Sequence, residues 1–143
     1  MYMGEYIHSV DEKGRVIMPL KFREQLSQTF YITKSIDRCL FVYDEEEWKL
    51  MYEKMRSLKL TSERARRFTR NMFGPARELT VDKQGRIIIP QNLRDYAGID
   101  KEVVITGVAT KIEIWSKEVF DENRKEEEED FYELIEDYEE LDI

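Results

Sequence analysis

The chain has 143 residues, 41% of them hydrophobic and 38% charged, enough for one compact domain or two fused small ones. Its single cysteine, Cys39, excludes an intrachain disulfide and favours a reducing compartment; with no signal-like N-terminal segment and no apolar run near the roughly 20 residues of a membrane helix, the expected setting is cytoplasmic. The net charge of −8 is unevenly placed: of 31 acids and 23 bases, residues 118–143 hold 14 acids and 2 bases, which leaves 17 acids and 21 bases before them, so the acidity belongs to the tail and the body is mildly basic.

In chain order, residues 5–10 read as a short extended run, followed by the four turn formers "DEKG" (11–14), in which Asp caps its own backbone and Gly can take positive φ. "RVIM" (15–18) is an aliphatic strand segment, and Pro19 suits the first turn of a short helix over 19–26, with Leu20, Phe22 and Leu26 as its apolar side. A hairpin follows, turning near "SIDR" (35–38). Asp44 with Glu47 resembles a capping box, after which Trp48, Met51, Met55 and Leu58 recur at helical spacing. A basic helical stretch, "SERARRFTRNMF" (62–73), puts Ala65, Phe68 and Met72 on one side and is broken by "FGPA" (73–76).

The first pattern then returns. Residues 77–81 are extended, "DKQG" (82–85) is the turn, "RIII" (86–89) the strand, and "PQNLRDYA" (90–97) the short helix, with Leu93 and Ala97 inward and Gly98 as its stop. A hairpin turning near "GVAT" (107–110) closes the unit, and Ser116 can cap a third helix with only patchy apolar support from Val119, Phe120, Phe131, Leu134, Ile135 and Tyr138, its acidic distal part either a solvated helix or disordered. At an offset of 71, Asp11, Gly14, Arg15, Ile17, Pro19 and Arg23 fall on Asp82, Gly85, Arg86, Ile88, Pro90 and Arg94. One residue of slippage later, Ile32, Thr33, Leu40, Val42 and Tyr43 fall on Val104, Ile105, Ile112, Ile114 and Trp115. Two units of about 43 residues, fused and packed with pseudo-twofold symmetry, are the expected organisation: 5–47, a helical connector 48–75, 76–119, and an acidic tail 120–143.

Familiar chemistry is missing. The chain contains no dinucleotide-binding or phosphate-binding glycine loop and no H-E-x-x-H, and one His with one Cys cannot furnish the four ligands of a structural zinc site, so neither a cofactor nor a metal is expected. His8 lies in the alternating stretch "EYIHSV" with no nucleophile or carboxylate fixed beside it, which suits a strand or interface histidine. The acidic tail lacks the order of a calcium loop. No enzyme reading, and no small-molecule substrate, has a foothold. The paired Asp-x-x-Gly-Arg turns remain. An Asp cap, a permissive Gly and an Arg paired with the Asp account for most of each turn, but less well for Lys13 and Lys83 beside the arginines. Four cations on one surface would bind phosphate, and Arg can also read guanine in the major groove. Ion pairing alone and DNA binding both stay open on these residues.

"GRIIIPQNLRDYAGI" (85–99) resembles the G-R-[VI]-x-I-P-x-x-[LF]-R-x-x-L-G-[IL] signature of the AbrB/SpoVT-type swapped-hairpin transcription factors, and the doubled form, with "MGEYIHSVDEKGRVIMPLKFRE" and "IEIWSKEVF", resembles the MraZ family over about residues 1–120. The resemblance implies an α+β, mainly β fold: a double-split β-barrel built from two tandem repeats, with connector and C-terminal helices. It also implies a homo-oligomeric ring and a nucleoid-associated, sequence-specific transcriptional regulator of double-stranded promoter DNA. Its targets would be direct repeats in the promoter of the division and cell-wall gene cluster, its own operon included. DNA contact carries over to Arg15 and Arg86, flanked by Lys13, Lys83 and Gln84, with Asp11, Gly14, Asp82 and Gly85 shaping the loops. Met18 departs mildly from the signature. A rival from another class is an interaction module of antitoxin type, which uses the same hairpin fold and an acidic extended tail.

Overall fold

A computed structural model describes all residues from Met1 to Ile143. The elements are β1 (Tyr2–Ser9), β2 (Arg15–Ile17), α1 (Leu20–Gln25), β3 (Phe30–Lys34), β4 (Leu40–Asp44), α2 (Glu45–Arg56), α3 (Glu63–Phe73), β5 (Arg77–Leu79), β6 (Arg86–Ile88), α4 (Gln91–Ala97), β7 (Glu102–Ala109), β8 (Ile112–Ser116), α5 (Lys117–Asp137) and a last 3-10 turn, Glu139–Leu141. The fold is α+β. Six antiparallel strands lie in the order β1-β7-β8-β4-β3-β5, and β2 pairs with β6 in a separate two-stranded ribbon. Each half's first strand leaves its own hairpin and joins the other's, β1 on β7 and β5 on β3, so the two repeats interleave as a split barrel requires. The strand order reads the same from either edge when the halves are exchanged.

One core serves both repeats. Val16, Met18, Phe22, Phe30, Ile32, Leu40 and Val42 from the first half meet Ile87, Ile89, Leu93, Ala97, Val103, Ile105, Ile112 and Ile114 from the second, and all are at most 1% exposed. The outer face of the six-stranded sheet is covered by helices. Trp48 of α2 stacks on Tyr31 at 5.1 Å and tilts against Phe73, while Met51 and Met55 join it over Phe41, Tyr43 and Met72. At the pseudo-equivalent place, Val119 and Phe120 of α5 cover Cys39, Val104 and Trp115. The caps are local: Asp44 accepts from the Glu47 N–H, Ser62 from Ala65 and Ser116 from Val119.

Two features differ from the sequence expectation. Leu20 is 59% exposed; Phe22 points inward, and two residues of helix rotate a side chain by about 200°. The internal alignment also shifts in one strand. Val42 pairs with Ile32 and its counterpart Ile114 pairs with Ile105, so Ile105 stands in the place of Ile32, and Thr33 has no share in that position. The cause lies in the hairpins: Ser35 and Cys39 close a turn around three residues, Val108 and Lys111 around two. In the tail, α5 continues as one helix to Asp137, and from Lys125 onward no residue is buried, which is the solvated charged helix of the two forms expected there.

Candidate nucleic-acid interface

The two repeated turns have one construction. Asp11 N–H donates to the Arg15 carbonyl (3.0 Å) and Gly14 N–H to the Asp11 carbonyl (3.0 Å); Asp82, Gly85 and Arg86 repeat this at 2.9 and 3.0 Å. Three residues thus turn the chain, the third a glycine in the left-handed region, φ +82° at Gly14 and +79° at Gly85, as in a hairpin with a glycine bulge. Space demands glycine as well, because a Cβ on Gly14 would lie 2.7 Å from the Ile89 carbonyl oxygen.

Each Asp carboxylate organises its loop. Asp11 Oδ1 accepts the N–H groups of Lys13 (3.0 Å) and Arg15 (2.9 Å), and Oδ2 accepts Arg15 Nε (2.6 Å). Asp82 likewise holds Gln84 N–H, Arg86 N–H and Arg86 Nε, at 2.9, 2.9 and 3.0 Å. These donors keep both carboxyls below the usual Asp value, the Arg backbone N–H contributing most and outweighing the desolvation that opposes it. The arginines are held at Nε alone. No hydrogen bond in the chain takes their terminal Nη groups, and their side chains are 32% and 28% exposed. Lys13, Lys83 and Gln84 are exposed, and their side chains enter no hydrogen bond or ion pair.

The ribbon β2–β6 sets the relation between the loops. Its register pairs Arg15 with Ile88, Val16 with Ile87 and Ile17 with Arg86, and two further bonds, Ile89 N–H to Gly14 and Met18 N–H to Gly85, extend it at both ends. Val16 and Ile87 point into the core, so Arg15, Ile17, Arg86 and Ile88 share the outward face. The Arg15 and Arg86 Cα atoms are therefore about 8 Å apart, with the two loops at opposite ends of a ribbon about 14 Å long. The loops are not copies. Glu12 corresponds to Lys83 and Lys13 to Gln84, so loop 11–15 is neutral and loop 82–86 carries one net positive charge.

Two residues outside the predicted set support the loops crosswise. Arg94 of α4 lies beneath Gly14 and donates from Nε to the Ile89 carbonyl at 2.9 Å; Arg23 of α1 lies beneath Gly85, its Nε buried without a partner. Each repeat's helix thus props the other repeat's loop. Their signal was present in the offset of 71, which aligns Arg23 with Arg94.

A family description, "MraZ protein, putative antitoxin-like", matches the chain twice, over residues 1–71 and 72–138. The chain belongs to the MraZ family. MraZ relatives match along its length. The protein named transcriptional regulator MraZ from Caldanaerobacter subterraneus subsp. tengcongensis is 52% identical over 136 residues, 95% of each chain. That of Thermoanaerobacter sp. (strain X514) is 50% identical over 143 residues, all of both chains, and that of Clostridium tetani 52% over 122 residues, 85% of this chain and 86% of its own.

The acidic tail leads away from the first loop. Val10 N–H bonds the Lys101 carbonyl and Ser116 pairs with Val103, so α5 starts near that loop. Arg124 then pairs with Glu5 halfway back along β1, and the 13 residues beyond it extend about 20 Å further in the same sense. No helix of this MraZ chain is long and apolar enough to cross a membrane.

Proposed function

We propose that this chain is a non-catalytic transcriptional regulator that binds double-stranded promoter DNA through the outer face of the β2–β6 ribbon and its two flanking loops. The observation that carries the reading is the pair of arginines on one exposed face, each fixed at Nε by its own carboxylate and open at two terminal nitrogens. A guanidinium oriented in this way can meet phosphate oxygens or the O6 and N7 of guanine. Lys13, Lys83 and Gln84 flank it. The names of the MraZ relatives support the regulatory role.

The finer reading follows the family resemblance: a cytoplasmic, nucleoid-associated ring acting on direct repeats in the promoter of the division and cell-wall cluster, its own operon included. One chain offers only two loops, and residues 1–117 carry a net charge of +4, so a single contact is weak and sensitive to salt. Several copies on adjacent repeats gain by effective concentration, and a head-to-tail ring presents like-facing units to direct repeats. The second reading, a protein-interaction module of antitoxin type, is favoured by the uncovered Phe131, Leu134 and Tyr138 on the acidic α5 and its extension.

The test is fluorescence anisotropy on the chain's own upstream DNA. The wild type should bind with an affinity that falls log-linearly with salt, and Arg15→Ala with Arg86→Ala should weaken binding at least tenfold. Undiminished binding by the double variant would count decisively against the reading. Loss of a basic protein partner on removal of residues 121–143, with no DNA binding, would favour the second.

A further inference from the structure

We propose that Ile17 and Ile88 read thymine, their side chains meeting the 5-methyl groups of thymines in the major groove beside the guanidinium contacts of Arg15 and Arg86. The inference rests on the DNA-binding reading and adds to it a base-reading role for residues that carry no charge.

The four outward residues of the ribbon are two arginines and two isoleucines. Ile17 is 43% exposed and Ile88 55%, although every other aliphatic of "RVIM" and "RIII" is at most 1% exposed. A strand face that needs only solubility is served by Thr or Lys; an exposed isoleucine keeps its apolar surface in water at a cost unless a partner covers it. Both repeats place this aliphatic two residues after the Arg, and the antiparallel register sets it directly across the strand from the other repeat's Arg: Ile88 faces Arg15 and Ile17 faces Arg86. Any surface that receives the two guanidinium groups must therefore also receive the two isoleucines.

The dimensions fit one surface. Strands about 4.8 Å apart make a ribbon that enters a groove about 12 Å wide, and the major groove accepts a two-stranded ribbon. In that groove only thymine offers an apolar group, the C5-methyl; cytosine shows C5–H and an amino donor there. An isoleucine can neither donate nor accept a hydrogen bond, so its discrimination is for methyl over its absence. Cross-strand neighbours lie about 5 Å apart and same-strand neighbours about 7 Å, which puts each expected thymine within one or two base steps of an arginine-read guanine. Burying one methyl corresponds to about a fourfold gain in affinity.

The test removes the methyls from the DNA and leaves the protein untouched. Fluorescence anisotropy would compare the chain's own upstream duplex with the same duplex carrying deoxyuridine at every thymine. The wild type should bind the deoxyuridine duplex at least fourfold more weakly. Ile17→Ser with Ile88→Ser, which leaves no methyl to meet the base, should bind thymine DNA as weakly as that and show no difference between the duplexes. Equal wild-type affinity for both duplexes, with binding still weakened at least tenfold by Arg15→Ala with Arg86→Ala, would overturn the inference and leave DNA binding standing. A deoxyuridine penalty that persists unchanged in the isoleucine variant would overturn it too. Absence of any DNA binding by the wild type would remove both readings together.

Discussion

Arg15 and Arg86 are each tied at one nitrogen and open at two, and this follows from an Asp placed four residues earlier on a turn that aims its carboxylate at Nε. Charge and geometry make opposite predictions for that Asp. If net charge governed DNA affinity, Asp11→Asn with Asp82→Asn would tighten binding by removing two negative charges. If the carboxylate sets the direction of the guanidinium, the same variant weakens binding despite its extra positive charge. We expect weakening of several fold in the anisotropy assay. The carboxyls titrate below the usual Asp value, so their stabilising effect is complete above the unfolded pKa of about 4 and is lost as pH falls through the lower folded value. Carboxyl NMR titration should place both midpoints beneath that of a free Asp and should show the loop amides of Lys13, Arg15, Gln84 and Arg86 moving with them.

Among elements, the short helices and strands follow closely from local residues. Pro19 and Pro90 precede α1 and α4, Gly98 closes α4 at φ +65°, and Asp44 and Ser116 cap their helices as the sequence implies. The turn residues of the candidate site are equally legible, because Asp, Gly and Arg act within five residues. Strand partners are not legible in this way. Nothing local says that β1 joins β7 across about a hundred residues, and a hairpin shorter by one residue shifts the match of β3 to β7, which in a strand exchanges the two faces. Short helices hide their inner face for a related reason: six residues are too few for periodicity to choose between Leu20 and Phe22. The structure chooses Phe22, which meets Tyr2 and Tyr6 edge-on at 5.9 and 5.3 Å. Phe22→Ala should therefore cost about 3–5 kcal/mol of unfolding free energy and Leu20→Ala less than about 0.5, as read by urea denaturation.

Across the whole molecule, the charge is divided along the chain and also in space. Residues 125–143 carry 11 of the 31 acids and one base, bury nothing, and continue away from the loop at Asp11. Truncation after Arg124 leaves 20 acids and 22 bases, turning the net charge from −8 to +2. We expect the truncated chain to keep its melting temperature within about 2 °C, because surface residues without buried partners contribute little. At low salt its association with DNA should quicken several fold, as stopped-flow fluorescence would show, and the difference should shrink once the Debye length falls to about 8 Å near physiological ionic strength.

The unlike loops of this near-symmetric body have a consequence for how it can evolve. Two identical chains meeting across a dyad must carry every substitution twice. Here Glu12 and Lys83, or Lys13 and Gln84, sit at matching places and differ, because a single gene encodes both sites separately. The fused chain therefore has a front and a back: laid along any double-stranded rod it can tell one travel direction from the other, a polarity that a strict dimer of single repeats could never possess.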